Sequence, residues 1–262
     1  MKTQILSKSL IILLIFGSLL SCRKKPQDPS VVRSAKYRES LKDVYEKVGL
    51  FYHANMIPGM AVAVSIDNKL VWADGFGFSN YELKAKTSPV HKFRIGQVSE
   101  LITALTVAKL NEEGKLQINR PVAEYIPQLS KKSAEYTIRQ LGAHAAGIRA
   151  ENTPAGKGIA TSLETIIPEF INDDLLYEPG CNFAHTELGF DLIGYLIEKS
   201  TKEVFYKVVK KNVLDTLHLD GTVPDVPFRI IDNRSCNYDF NFVAQPIVAS
   251  AIDLRGKEAS AG

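Results

Sequence analysis

Cysteine is scarce in this sequence, with three residues in 262, and none of them forms a C-x-x-C metal or redox motif. The sequence also lacks a P-loop, an HExxH helix, a GxSxG nucleophile turn and internal repeats. It has no basic stripe with interleaved aromatic residues, which argues against nucleic acid as a partner. We therefore expect no cofactor and no metal site.

The sequence has no apolar run of the roughly 20 residues that a membrane-spanning helix needs. A shorter run, Leu10 to Leu20, follows Lys2 and Lys8 and leads into Ser21-Cys22. This junction resembles the lipobox of bacterial lipoproteins. The resemblance implies a signal peptide over residues 1–21, acylation of Cys22, a tether over residues 22–34 and an exported, membrane-anchored protein of the cell envelope. An ordinary signal peptide and an uncleaved anchor are the alternatives.

Removal of residues 1–21 takes away two lysines and no acids, so the formal net charge falls from +3 to +1. If Cys22 is lipidated, Cys181 and Cys236 remain. In an exported protein these two could form a disulfide, and two free thiols are an equal alternative.

The apolar pattern predicts a mixed α/β protein. Ala35 to Tyr52 has the stripe of an amphipathic helix. Met60 to Ile66 is nearly all apolar, which predicts a strand covered on both faces. Asp67-Asn68 predicts a tight turn into a return strand. Tyr136 to Leu141 is expected to start another helix, with Thr137 as its cap. Further helices are expected over Leu188–Ser200 and Val204–Leu217, both in the core.

A strand–glycine–helix corner is expected near the middle of the chain. Phe93 to Ile95 is a short extended run, Gly96 breaks it, and a helix follows until Gly114. We expect its core face to be apolar, formed by Val98, Leu101, Ile102, Leu105, Ala108 and Leu110. Gln97 lies at the first turn, where free N–H groups and the positive end of the helix dipole point outward. A corner of this kind suits a nucleophile.

The corner, FRIGQVSELITALTVAKLNEEGKL, resembles the active-site region of serine beta-lactamases and penicillin-binding proteins, with class-C-like and beta-lactamase-like serine hydrolases as the most similar members. PGMAVAVSIDNKLVWADGFGFSNYE resembles the opening hairpin of that superfamily, and HAAGI resembles its His-Thr-Ser-Gly-Leu segment. The resemblance implies a beta-lactamase/transpeptidase-like sheet domain with a helical subdomain over residues 35–262. We expect this domain to be C-terminally incomplete.

The residues that carry the chemistry in this superfamily are replaced here. Gln97 and Glu100 occupy the positions of its Ser-x-x-Lys pair, and the resemblance places His185 and Glu187 at the Tyr and Asn of its Tyr-x-Asn motif. Ser-x-x-Lys occurs only at Ser21 to Lys24, and Lys-Thr-Gly occurs nowhere. No catalytic residue is therefore assigned.

If the geometry of the superfamily holds, Gln97, Glu100, His185 and Glu187 converge on one pocket. A Glu100–His185 pair could then join its two walls, although drift in an unused site is an equal alternative. Ser99 is a second hydroxyl, but one helical step turns it about 100° away from the pocket. His144 has no Cys or Asp at ligand spacing, so we expect it to be a packed structural histidine.

Three functions follow from the sequence. The first is a catalytically inactive lipoprotein that still binds a peptide or a peptidoglycan-like ligand. The second is an active beta-lactamase, peptidase or esterase with divergent residues. The third is a truncated product without function.

Overall fold

The computed structural model describes residues 28–127, 129, 135–149, 174–225, 229–240 and 246–248. The predicted leader, Cys22 and the first part of the predicted tether lie outside these residues. Among the described residues, no helix is long and apolar enough to cross a membrane. The chain divides into two compact units. The sheet unit comprises the described residues up to His91 together with Phe240 and Pro246, and the helical unit comprises those from Lys92 to Asp239 together with Ile247 and Val248.

In the described part of the chain, the sheet unit contains four antiparallel strands in the order β1-β3-β2, with β4 paired to β3. The strands are β1 (Val32–Arg33), β2 (Gly59–Ile66), β3 (Lys69–Asn80) and β4 (Ala85–Lys86), and the helix is α1 (Arg38–Ala54), which follows a 3₁₀ turn at Ala35–Tyr37. Val32 and Arg33 were expected in the tether, and this expectation is wrong because both residues pair with β3. The predicted helix and hairpin are confirmed.

The hairpin turn has the expected local chemistry. Asp67 and Asn68 both have positive φ, +51° and +58°. Two such residues make the turn whose twist matches that of the flanking strands, and Asp and Asn tolerate this conformation well. The turn places Ile66 opposite Lys69, and an irregularity between Val64 and Ser65 then shifts the register so that Met60 lies opposite Phe76.

The prediction that Met60–Ile66 is covered on both faces is wrong for the described part of the chain. Within the described sheet, β2 is at one end of the strand order. Val64 is 37% exposed and Ile66 is 39% exposed. The central strand, β3, is covered instead, because the ring of Tyr45 on α1 lies 4.9 Å from that of Phe76 and 6.3 Å from that of Trp72.

The helical unit contains a large apolar core. Its helices are α2 (Val98–Glu112), α3 (Ile138–Gly142), α4 (Glu187–Thr201) and α5 (Phe205–Val209), with a 3₁₀ turn at Val122–Glu124 and a π-helical turn at Lys210–Leu214 that continues α5. Residues Leu188 to Ile197 of α4 are all buried. The two predicted core helices are thus confirmed. Two short strands follow, β5 (Tyr238–Phe240) and β6 (Pro246–Val248).

The face that α2 buries differs from the predicted one. Val98, Leu101 and Leu105 are 58%, 61% and 43% exposed. Thr103 and Thr106 are buried instead, together with Ser99, Val107 and Leu110. The hydroxyl of Thr106 donates to the carbonyl of Ile102 at 2.9 Å, so a buried polar side chain keeps its hydrogen bond.

The extended run Phe93 to Ile95 is not a strand. Only Lys92 forms a bridge, in which its N–H donates to the carbonyl of Asn233 at 2.8 Å. Arg94 contacts Asp225, which also accepts from Arg234 at 2.8 Å. This ion-pair set holds the segment before α2 in place.

Candidate functional site

The first wall of the site is the start of α2. Gly96 has φ +53°, which turns the chain into the helix, and Gln97 is the exposed residue immediately before the first helical position. Glu100 lies one turn further, and its N–H donates to the carbonyl of Gln97 at 3.0 Å. Ser99 is buried, which agrees with its expected rotation away from the site. The glycine turn and the helix after it were therefore predicted correctly, whereas the strand before the turn was not.

The second wall consists of two segments that are bonded along their backbones. The N–H of Ala184 donates to the carbonyl of His144 at 2.9 Å, and the N–H of Gly180 donates to that of Ala145 at 2.8 Å. Gly147 cannot be replaced without strain, because it has φ +80° and a Cβ there would lie 2.4 Å from the carbonyl oxygen of Tyr177. These contacts place His144 beside His185.

Helix α3 holds the chain segment that leads into His144. Thr137 caps this helix: its hydroxyl accepts from the N–H of Gln140 at 3.2 Å, and its own N–H donates to the side chain of Gln140 at 2.9 Å. This reciprocal pair is a capping box, and Thr137 was predicted as the cap. After the helix ends, His144 adopts φ +53°, a conformation that residues other than glycine rarely take.

A carboxylate and two imidazoles meet between the two walls. Oε2 of Glu100 lies 3.5 Å from Nε2 of His144, and its Oε1 lies 3.7 Å from Nε2 of His185. The His144 and His185 rings are 4.4 Å apart between centroids. Glu100 and His144 have side chains only 14% and 12% exposed, whereas that of His185 is 42% exposed. The site is thus closed on one side and open at His185.

Gln97 and Glu187 also meet across the site. Nε2 of Gln97 donates to Oε1 of Glu187 at 3.4 Å, a long hydrogen bond. Glu187 is the first residue of α4. The structure therefore brings together Gln97, Glu100, His185 and Glu187, the four residues named from the sequence.

His144 is the residue that sequence reasoning missed. It is packed, as expected, between the rings of Phe183 and Phe190 at centroid distances of 5.7 and 5.5 Å. It is not alone, because it also faces Glu100 and His185. These three residues lie on separate segments, so no local spacing indicates the cluster. Two imidazoles and a carboxylate can transfer protons to and from water and are also a metal-ligand set.

The suggested disulfide is not formed, and this alternative is corrected. Cys181 and Cys236 are not joined by a disulfide, and both are exposed. Cys181 follows Gly180, which is bonded to Ala145, whereas Cys236 follows Ser235, whose N–H donates to the carbonyl of Lys92 at 2.9 Å. The two thiols are therefore held on separately anchored segments.

Comparison with known sequences agrees with this geometry. The family model described as "Beta-lactamase" matches residues 46–239. "Protein flp" of Staphylococcus aureus (strain N315) is 28% identical over 185 residues, which cover 68% of this chain and 36% of that protein. The human "Serine beta-lactamase-like protein LACTB, mitochondrial" is 24% identical, over 90% of this chain and 56% of its own length. The chain thus spans less than two thirds of either relative.

Solved structures have the same fold. FmtA from Staphylococcus aureus superposes with a TM-score of 0.74 at 20% identity, over 93% of this chain and 67% of that one. An octameric penicillin-binding protein homologue from Pyrococcus abyssi gives 0.73 at 21% identity, over 85% and 52% of the two chains. A class C beta-lactamase in complex with cefoxitin gives 0.70 at 20% identity, over 87% and 61%. The predicted beta-lactamase/transpeptidase-like fold is confirmed.

Proposed function

Because the chain belongs to the beta-lactamase family, we propose that it is a member that binds a peptide or peptidoglycan-like ligand without hydrolysing it through an acyl-enzyme. The observation that carries this proposal is the pair at the start of α2. Gln97 stands where family members have the attacking serine, and Glu100 stands where they have the lysine base. An amide cannot form an acyl-enzyme, and loss of a nucleophile costs several orders of magnitude in rate.

The contacts of the replaced residues support a binding role. The amide of Gln97 donates to Glu187, and the carboxylate of Glu100 faces two imidazoles. These contacts join the two walls of the cleft, and none of them activates a hydroxyl. The exposed edge at His185 and the ring of Phe183, which is 70% exposed, offer polar and apolar contacts to a ligand.

Hydrolysis and binding can be measured on the same preparation. We expect no nitrocefin turnover above the rate in buffer, and we expect calorimetry to detect binding of a soluble peptidoglycan stem peptide. Phe183→Ala should weaken this binding, whereas Leu219→Ala, an exposed residue of the same unit, should not. Catalytic turnover of nitrocefin would refute the assignment as inactive. Equal binding of the stem peptide by both variants would exclude this cleft as the binding site.

A second candidate function rests on the Glu–His contacts. Glu100 with His185 could act as an acid–base pair on a water molecule, which would hydrolyse an ester without a covalent intermediate. Turnover of a p-nitrophenyl ester that is lost in Glu100→Gln would favour this function. If turnover is absent, or if Glu100→Gln retains it, this second candidate is excluded.

We also propose that the protein is a lipoprotein of the cell envelope. The proposal rests on Ser21-Cys22 after a short apolar run, outside the described residues. Radiolabelled palmitate should be incorporated by the wild-type chain in a bacterial host and not by Cys22→Ser. Cys181→Ser is the matched control and should be labelled like the wild type. Labelling of Cys22→Ser would contradict lipidation at this residue.

A further inference from the structure

Glu100, His144 and His185 form a cluster that serine hydrolysis does not use. The three side chains each offer one ligand atom, and these atoms all lie within 4.8 Å of one another. We propose that this cluster binds a divalent transition-metal ion, with Zn²⁺ as the best match. Two imidazoles and one carboxylate are the ligand set of open zinc sites, in which the fourth position takes water or a ligand.

The distances suit such an ion. Zinc–nitrogen and zinc–oxygen bonds of about 2.0–2.2 Å place two ligand atoms of a tetrahedral ion about 3.4 Å apart. Here the carboxylate oxygens of Glu100 lie 3.5 Å from His144 Nε2 and 3.7 Å from His185 Nε2. The two distances involve different oxygens of Glu100, and the three ligand atoms lie within 4.8 Å of one another, so binding one ion requires the side chains to rotate inward.

The carboxylate has an unused oxygen directed into the cluster. Oε1 of Glu100 is buried and accepts no hydrogen bond from any residue that the structure describes. A buried acceptor without a partner is costly, and such groups in folded proteins often mark an ion or water site. Nε2 of His185 lies 3.7 Å from this oxygen, which is too long for a hydrogen bond. A bound cation would satisfy this oxygen.

The surrounding structure holds the ligands in place. Glu100 is in the first turn of α2, and the segments of His144 and His185 are tied by the backbone bond from Ala184 to His144. The rings of Phe183 and Phe190 flank His144, whose side chain is only 12% exposed to solvent. A dry environment strengthens the attraction between a cation and a carboxylate.

Metal binding requires one proton to move. The N–H of Thr186 faces Nδ1 of His144 at 3.4 Å, so in the metal-free protein Nδ1 is the acceptor and Nε2 carries the proton. Coordination through Nε2 therefore places the proton on Nδ1 and breaks the Thr186 contact. That contact, at 3.4 Å, is already long for a hydrogen bond, but two N–H donors would then face each other and must move apart. Neutral imidazoles and one carboxylate leave a charge of +1 on the zinc site, which favours an anion at the fourth position.

Binding is tested first on the wild-type chain, with any affinity tag removed and the thiols of Cys181 and Cys236 alkylated. After treatment with a chelator, Zn²⁺ is titrated in competition with a chromophoric chelator, and Co²⁺ is added separately as a spectroscopic probe. We expect one ion per chain, a raised melting temperature and the intense visible absorption of four-coordinate Co²⁺. No binding, or a weak octahedral Co²⁺ spectrum, would overturn the proposal.

Variants then locate the ion. His185→Ala and Glu100→Gln should each weaken Zn²⁺ binding by at least about 100-fold, the upper end of what losing a second-shell partner costs. His144→Asn should do the same, and asparagine tolerates the positive φ at this position. His218→Asn is the matched control, because His218 is exposed with φ +54° and lies outside the cluster. Equal loss in His218→Asn, or undiminished binding in the three cluster variants, would refute the assignment.

A measurement on the unmodified protein avoids dependence on the folding of variants. The chain has five histidines. In imidazole ¹⁵N NMR spectra, Zn²⁺ should shift the resonances of His144 and His185 and leave the other three unchanged. Shifts at other histidines in place of these two would contradict the proposed ligands.

Discussion

The helical unit and the sheet unit bury their apolar residues to different extents. In the helical unit, Leu192, Leu196 and Ile197 have no exposed surface. In the sheet unit, β3 is well covered at Trp72, which is 1% exposed, whereas none of the apolar residues of β2 is buried, and Val64 and Ile66 are 37% and 39% exposed. The helices thus complete their own core within the described residues, and the sheet completes only the face that α1 covers. Stability should therefore reside mainly in the helical unit.

The largest effect is expected from truncation in the helical core. Leu196→Ala should lower the free energy of unfolding by about 2–5 kcal/mol, because it leaves a cavity in a fully buried site. Urea denaturation followed by far-ultraviolet circular dichroism measures this change. Leu101→Ala, at a residue of α2 that is 61% exposed, is the control and should change stability by no more than about 0.5 kcal/mol. Equal losses of unfolding free energy in the two variants would contradict the difference in burial between Leu196 and Leu101.

A smaller effect is expected where α1 covers β3. Tyr45→Ala should destabilise the sheet unit by about 1–3 kcal/mol, because it removes a ring that packs on Phe76 and Trp72. Trp72 is the single tryptophan of the chain, so its fluorescence reports on this unit alone. We expect a lower denaturation midpoint and a red-shifted emission. Leu50→Ala on the same helix, at a residue 64% exposed, should leave both unchanged.

Loss of the cap of α3 should destabilise the helical unit less than truncation of its core. Thr137→Ala removes the capping hydroxyl and should cost about 1 kcal/mol. Thr137→Ser keeps the hydroxyl and should retain most of the stability. If alanine and serine behave alike in thermal unfolding, the capping box is not what holds this helix.

The smallest change in stability is expected on β2. Ile66→Lys replaces an apolar residue that is 39% exposed, so the unfolding free energy should change by no more than about 0.5 kcal/mol. Self-association should fall, because a lysine at a strand edge opposes pairing between chains. Light scattering measures this, with Leu83→Lys, 78% exposed in a turn, as the control. A greater reduction of self-association by Leu83→Lys would show that β2 is not the surface through which the chains associate.

The sequence predicted those features of the fold that depend on local chemistry. The Asp67-Asn68 turn, the Thr137 cap and the corner at Gly96 each follow from the conformational preferences of one or two residues. The buried face of α2 could not be predicted in this way, because α2 has apolar residues on all sides. Its threonines can also be buried, because a hydroxyl such as that of Thr106 donates a hydrogen bond to the preceding turn of the helix. Burial then depends on the neighbours that tertiary packing supplies.

The candidate site shows the same division. Gln97, Glu100, His185 and Glu187 were found because motifs align them with family positions. His144 was missed as a cluster member because its partners lie on α2 and on the segment before α4, and only folding brings them together. The Glu–His–His cluster is a property of the three-dimensional structure that no spacing in the sequence reveals.

We propose that an amide and a carboxylate have replaced the nucleophile and base of the family at the start of α2. Covalent labelling by a fluorescent penicillin tests this most directly, because an acyl-enzyme survives denaturing electrophoresis and adds the mass of the probe. A serine penicillin-binding protein labelled in parallel shows that the probe is reactive. We expect no label and an unchanged intact mass for this chain. A stoichiometric adduct on any side chain of the cleft would contradict the account.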